Sequence, residues 1–320
     1  MPEETEQEIT GGSMLSLARL SPGMQLLFLF FAIPLSAAIF TLIGAFLNAY
    51  LFDVSLLDNP TLLDQIDQPN VLSALKLIQI LQHIGIFIVP TLVFAYLIDR
   101  KPLQYLRINK SAHTISYIGA VIIIILALPL INWMITINEA MVLPEFLTGL
   151  ETWMKGMEES ATGITKKFLI MDSPLDLTIN LFMIALIPAI GEEMLFRGVL
   201  QRIFANWTKN IHLGVWITAI LFSAMHMQFY GFLPRMMLGV LFGYLFVWSG
   251  SLLLPMLCHL INNGSAVIFA YVAGVDEFMD QDESLGTAEG ETLLTLTSAL
   301  AIAGLLYMIY KKEKEKRSTA

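Results

Sequence analysis

The chain has 320 residues, 56% of them hydrophobic and only 14% charged, with a formal net charge of −9 and a mean hydropathy of +0.69. That composition excludes a disordered chain, argues against a soluble globular enzyme and leaves no basic surface for nucleic acid. The single cysteine, Cys258, excludes an intrachain disulfide and a four-cysteine metal site.

Taken in order, the chain opens on a polar tail, 1–24, whose start (MPEETEQEIT) is acidic. A signal peptide begins basic, so the first apolar run is expected to stay as an anchor. Runs able to cover a ~30 Å hydrocarbon core with about 20 residues fall at roughly 25–51, 71–98, 115–136, 177–201, 212–229, 232–249, 251–273 and 292–310. They lack the alternation of barrel strands. The expectation is therefore an all-α polytopic membrane protein of about eight transmembrane helices with a membrane-embedded polar cavity.

Within that frame, 25–176 holds the first three membrane helices and an exocytoplasmic stretch at 138–176. Phe146, Leu147, Trp153, Met154 and Met157 alternate there with Glu151, Lys155, Glu158 and Glu159. That pattern fits an amphipathic helix lying on the membrane surface, or an ordinary outer loop. The polar core falls in 177–275, followed by an acidic outer loop and last helix at 276–310 and a basic tail at 311–320.

Loop charge sets the expected orientation. With eight spans both termini share a side. The segments on that side carry Arg19, Arg100, Lys101, Arg107, Lys110, Arg202, Lys209, Lys311, Lys312, Lys314, Lys316 and Arg317. The opposite segments carry only Lys155, Lys166 and Lys167. By the positive-inside rule both termini are cytoplasmic in a multi-pass cell-membrane protein.

The stretch Gly191–Gln201 (GEEMLFRGVLQ) puts three charges in an apolar run, and a charge at mid-bilayer costs roughly 2.5–3.5 kcal/mol on insertion scales. Glu193 and Arg197 stand at i, i+4 in the favourable order and are expected to pair. Glu192 points to another face and is left for chemistry. His226 ends the fifth run, and His259 and Asn263 share one face of the seventh. Hydrolysis needs a base for water and donors for the oxyanion. Glu192 and His226 suit the first need, His259 and Asn263 the second. Each residue alone also has a structural reading, as an ion pair or an interhelical clamp. Lys76, Gln79, Gln82 and His83 recur at helical spacing and either line the same cavity or pack between helices. Gly239 and Gly243 form a small-xxx-small pair suited to close packing, and Arg235 is expected to snorkel to the headgroups.

Together these motifs, EExxxR at Glu192–Arg197, FxxxH at Phe222–His226 and HxxxN at His259–Asn263, resemble the CAAX-protease and bacteriocin-processing (CPBP, formerly Abi) intramembrane proteases, which include the type II CAAX prenyl endopeptidases. The resemblance covers about 180–275. It implies a helical bundle with a conical cavity open to the cytosol, in which Glu192 and His226 activate water. It also implies that His259 and Asn263 bind the oxyanion and that Glu193 and Arg197 support the site. The implied partners are the lipid bilayer and a membrane-associated peptide or protein. The family is usually labelled metalloprotease. From the residues, Glu192, His226 and His259 could supply three zinc ligands. One glutamate can hardly be both ligand and free base, so a metal-free mechanism is preferred; HExxH is absent, which excludes a zincin-like site. The competing readings are a non-enzymatic membrane protein, such as a bacteriocin self-immunity factor or scaffold, and an ion-coupled transporter. The latter predicts repeat symmetry between halves, which the charge distribution lacks.

Overall fold

A computed structural model describes residues 16–56, 62–279, 285–287 and 291–318; most of the N-terminal tail lies outside them. The described residues are helical throughout their ordered elements, with no strand among them. Ten helices matter here. They are α1 (Pro22–Phe52), α2 (Pro69–Ile98), α3 (Thr114–Leu126), α4 (Leu128–Glu139) and α5 (Thr148–Phe168), then α6 (Pro174–Thr208), α7 (Ile211–Met225), α8 (Phe232–Ser249), α9 (Leu253–Ala273) and α10 (Thr292–Ser318).

Their ends follow local chemistry. Ser21 accepts the Met24 amide ahead of Pro22 at the start of α1, Ser173 caps α6, and the Asn210 side chain caps α7 by accepting from His212 and Leu213. Gly250, at φ +63°, closes α8 in the left-handed conformation that glycine adopts without strain.

Among the described residues six helices are long and apolar enough to cross a membrane: α1, α2, α6, α8, α9 and α10. The chain is therefore a multi-pass membrane protein. The run expected as one span at 115–136 is instead two helices, α3 and α4, bent by 48°. Pro129 lies at the break; its missing N–H and its ring interrupt the ladder. Counted as one, the pair makes seven spans. The fifth expected run does not reach a full crossing. α7 has 15 residues, about 22 Å at 1.5 Å per residue, and gives way at His226 to a turn in which Met227 takes a left-handed φ of 54°.

Within the stretch 138–176, Thr148–Phe168 form a helix, α5, with apolar and charged faces. Its Trp153 ring lies 5.7 Å from Phe229, and its Glu158 accepts the Tyr230 amide at 3.3 Å. Asn138 holds the same turn from the other side, donating to the Phe229 carbonyl at 2.8 Å and accepting the Leu233 amide at 2.7 Å. Arg235 folds back onto Gln228, donating to its backbone and side-chain oxygens at 3.1 and 3.0 Å, and so braces the turn that follows His226.

Contacts also sort the loop charges into two ends. At one, Arg107 and Arg317 both approach Gly250, Arg317 donates to Val247 and Trp248, Lys316 donates to Ser111, and Arg202 donates to the Tyr105 carbonyl at 2.6 Å. Leu17 packs in the same cluster as Leu106, Ile203 and Leu252, so both described ends of the chain sit there. At the other end, Lys155 pairs with Glu151, Lys166 with Asp276, and Lys167 with Asp67. The Lys166 ammonium holds the exposed Asp276 carboxyl below its ordinary range. The three lysines that depart from the acidic character of that end are thus each matched by a carboxylate.

Between the ends, glycines let helices touch. A Cβ on Gly239 would stand 3.1 Å from the Ala219 backbone, and one on Gly243 2.9 Å from Val215, so the small-xxx-small pair seats α8 against α7. A Cβ on Gly191 would meet the Phe87 Cβ at 2.8 Å, which shows how closely α6 lies on α2 immediately before the two glutamates.

Candidate active site

The site forms where α2, α6, α7, α8 and α9 meet. α2 and α6 are not uniform α-helices there. α2 carries a π turn at Ile84–Ile88, and α6 carries two, at Leu181–Leu186 and Met194–Leu200, on either side of the short α-helical stretch Ile187–Glu193. Such turns re-aim side chains and concentrate at functional sites. They occur here beside His83, Glu192 and Arg197.

Glu193 and Arg197 pair as expected, at 2.8 Å, and both are buried. The pair has more partners than sequence spacing suggests. Arg197 also donates to the Gly239 carbonyl at 3.1 Å and lies over the Phe222 and Phe242 rings at 4.6 and 5.3 Å. The same Glu193 oxygen accepts from His259 Nδ1 at 2.9 Å. A carboxylate can only accept, so Nδ1 carries the proton and His259 turns Nε2 toward Glu192 Oε2, 3.9 Å away. Glu193 therefore anchors a guanidinium and an imidazole together.

Glu192 faces the opposite way. Its Oε1 accepts from His83 Nε2 at 3.0 Å across the α2–α6 contact, while Oε2 has no hydrogen-bond partner among the described residues. His83 stacks on Phe87 with ring centroids 4.8 Å apart. His226 completes the group. Its Nδ1–H donates to the Phe222 carbonyl at 2.8 Å, which leaves Nε2 with a free lone pair. Asn263 donates to the Ile184 carbonyl, inside the first π turn of α6, at 3.0 Å, and its Oδ1 accepts from Asn262. One Asn263 N–H stays available, and Asn262 braces the side chain.

Phe222 is the hub. Its ring lies 5.0 Å from His226, 6.0 Å from His259 and 5.2 Å from Phe196, beneath the Arg197 guanidinium. His259 is also stacked on Phe242 at 5.6 Å. Two residues of the site escaped the sequence reading, Phe222 as a contact and His83 as a partner. His83 stood among polar residues of α2 at helical spacing, but nothing in one sequence shows which of them faces a helix a hundred residues away. Lys76 of that group lines a different cavity, discussed below. Cys258 packs with Phe242 and Leu254 in the apolar core.

The zinc set of Glu192, His226 and His259 is not assembled: among the described residues no group of three or more His, Cys, Asp or Glu side chains is placed to hold a metal ion. No step is therefore routed through a metal.

Residues 174–265, which supply the site's side chains except His83 and Phe87, match the family model "Type II CAAX prenyl endopeptidase Rce1-like". This segment is similar to the Rce1-like family. Two curated relatives align with parts of the chain. "Uncharacterized protein YpbD" of Bacillus subtilis (strain 168) is 33% identical over 86 residues, 26% of this chain and 41% of the relative. The "Uncharacterized 24.3 kDa protein" of Escherichia coli is 32% identical over 112 residues, 33% of this chain and 50% of the relative. The chain thus spans half or less of either relative's length. No solved structure matches it significantly.

Proposed function

We propose that the chain is an intramembrane endopeptidase of the CAAX-protease kind, hydrolysing a peptide bond of a membrane-associated peptide or protein with a water activated at Glu192. The observation that carries this reading is the division of labour between adjacent glutamates. Both keep a buried Oε2 without a hydrogen-bond partner among the described residues, but Glu193 is committed through Oε1 to the Arg197 guanidinium and to His259, whereas Glu192 accepts only from His83 and turns Oε2 toward His259 Nε2.

In this scheme Glu192 Oε2 takes a proton from water as its oxygen attacks the carbonyl carbon. His226, with Nε2 free, shares that proton and carries it to the leaving nitrogen as the C–N bond breaks. The oxyanion is held by the remaining N–H of Asn263 and by His259 Nε2–H. Because Nδ1–H of His259 is committed to Glu193, donation from Nε2 requires the imidazolium. Glu193 is the counter-ion for it. Two carboxylates, one guanidinium and one imidazolium sum to zero charge, the arrangement that burial favours.

The substrate reaches the site from the basic end, which the positive-inside rule makes cytoplasmic, so both termini are cytoplasmic as well. Incubating the protein in proteoliposomes with a bacterial membrane-peptide extract tests the reading. New C-termini are expected by mass spectrometry, and their absence across varied extracts would count against it. His83 enters as a positioning residue for Glu192. A hydrogen bond to a charged group contributes about 1.5–3 kcal/mol, so His83→Ala is expected to lower kcat by about 10–100-fold. His83→Gln, which keeps a donor, is expected to restore part of it.

A further inference from the structure

A second polar cavity, of about 610 Å³, lies at the acidic end of the bundle, bounded by the start of α2, the end of α5 and the start of α6. Lys76 lines it and is only 8% exposed. An ammonium inside a membrane span is costly and is ordinarily paired or snorkelled to water. Lys76 does neither. Asp176 is its charged neighbour, yet Lys76 makes no hydrogen bond or ion pair among the described residues.

The other charges of the cavity are unequal in what they still have to offer. Lys167 is bound to Asp67. Asp176 accepts from Ser173 Oγ at 2.7 Å and from the Asp172 and Ser173 segment that caps α6. Asp172 is exposed, and its carboxylate has no hydrogen bond or ion pair among the described residues. The cavity therefore presents one unanswered ammonium, deep, and one unanswered carboxylate, at its rim. Net charge makes a purely anionic ligand a poor fit, since the lining carries three aspartates against two lysines. Below the charges, Leu72, Leu77 and Ile80 of α2 and Ile179 of α6 continue the wall as apolar surface.

We propose that this cavity binds one phospholipid with a zwitterionic, hydrogen-bonding headgroup, of the phosphoethanolamine type. The phosphate meets Lys76, the primary ammonium meets Asp172, and an acyl chain lies on the apolar wall. The site is independent of the hydrolytic reading, because neither Glu192 nor His83 lines it.

Native mass spectrometry of the full chain in detergent tests this, with palmitoyl-oleoyl phosphatidylethanolamine, phosphatidylcholine and phosphatidylglycerol added separately. The expected result is one phosphatidylethanolamine retained about tenfold more strongly than either other lipid, as for a single charge-assisted contact. Lys76→Met and Asp172→Asn should each erase that preference. Asp172 is at the surface, so its variant keeps the test valid where Lys76→Met fails to fold. Equal retention of the three lipids means annular lipid only, and an unchanged preference in Asp172→Asn means that Asp172 does not hold the headgroup; either result overturns the proposal. Displacement of the lipid by free phosphoethanolamine at equal concentration reassigns the cavity to a soluble zwitterion and overturns it as well.

Discussion

Glu192→Gln is expected to give a protein that folds and inserts as the wild type does and loses about 10²–10⁴-fold in cleavage rate, the range over which a general base contributes. Glutamine keeps the shape of the side chain, and its Oε1 still accepts from His83, so the α2–α6 contact at Gly191 and Phe87 is undisturbed. What is lost is the capacity of the second oxygen to take a proton. Single-turnover cleavage of a peptide identified in proteoliposomes, alongside thermal unfolding in detergent, reads the two effects separately. A large fall in stability would instead make Glu192 structural.

The largest effect on stability is expected at Arg197. Its guanidinium is almost wholly buried, bonded to Glu193 and Gly239 and covered by Phe222 and Phe242. Arg197→Met leaves Glu193 as a buried charge facing only His259. Breaking one side of a buried ion pair costs about 3–5 kcal/mol. Adding Glu193→Gln to Arg197→Met should recover part of that loss, because the uncompensated carboxylate is gone. The double variant should also lose cleavage, since His259 no longer has its counter-ion. Thermal unfolding of the two single variants and the double variant gives the coupling between them. Additive losses would show that the two side chains do not act on one another.

Much of this arrangement was legible in the chain before its fold was known, and for identifiable reasons. Membrane helices announce themselves by length and hydropathy. The i, i+4 spacing of Glu193 and Arg197 is a local property of one helix, and so is the shared face of His259 and Asn263. The basic and acidic loops were separable by counting, and the contacts of Arg317, Lys316 and Arg202 at one end and of Lys155, Lys166 and Lys167 at the other group them in the same way.

What was not legible depends on contacts between helices distant in sequence. His83 meets Glu192 across 109 positions. His259 reaches Glu193 rather than standing alone as an oxyanion donor, which turns the simple Glu193–Arg197 pair into a three-membered cluster. The π turns at Leu181–Leu186 and Met194–Leu200 leave no mark in hydrophobic periodicity, since they add one residue per turn to a uniformly apolar run. The short α7 was hidden for the opposite reason. Its apolar pattern runs on through Met227 and Phe229, and only tertiary contacts from Asn138, Glu158 and Arg235 hold that turn in place.

Among the residues of the site, His226 separates catalysis from architecture most cleanly. It takes no part in the Glu193–Arg197–His259 cluster, and among the described residues its side chain makes one hydrogen bond, to the Phe222 carbonyl of its own helix. The decisive measurement is the rate of peptide cleavage by purified His226→Ala in proteoliposomes, with its melting temperature recorded beside the wild type. If Glu192 and His226 activate the water together, the variant melts close to the wild type and cleaves at least about a hundredfold more slowly. A folded variant that cleaves at the wild-type rate would contradict the hydrolytic role assigned to this site.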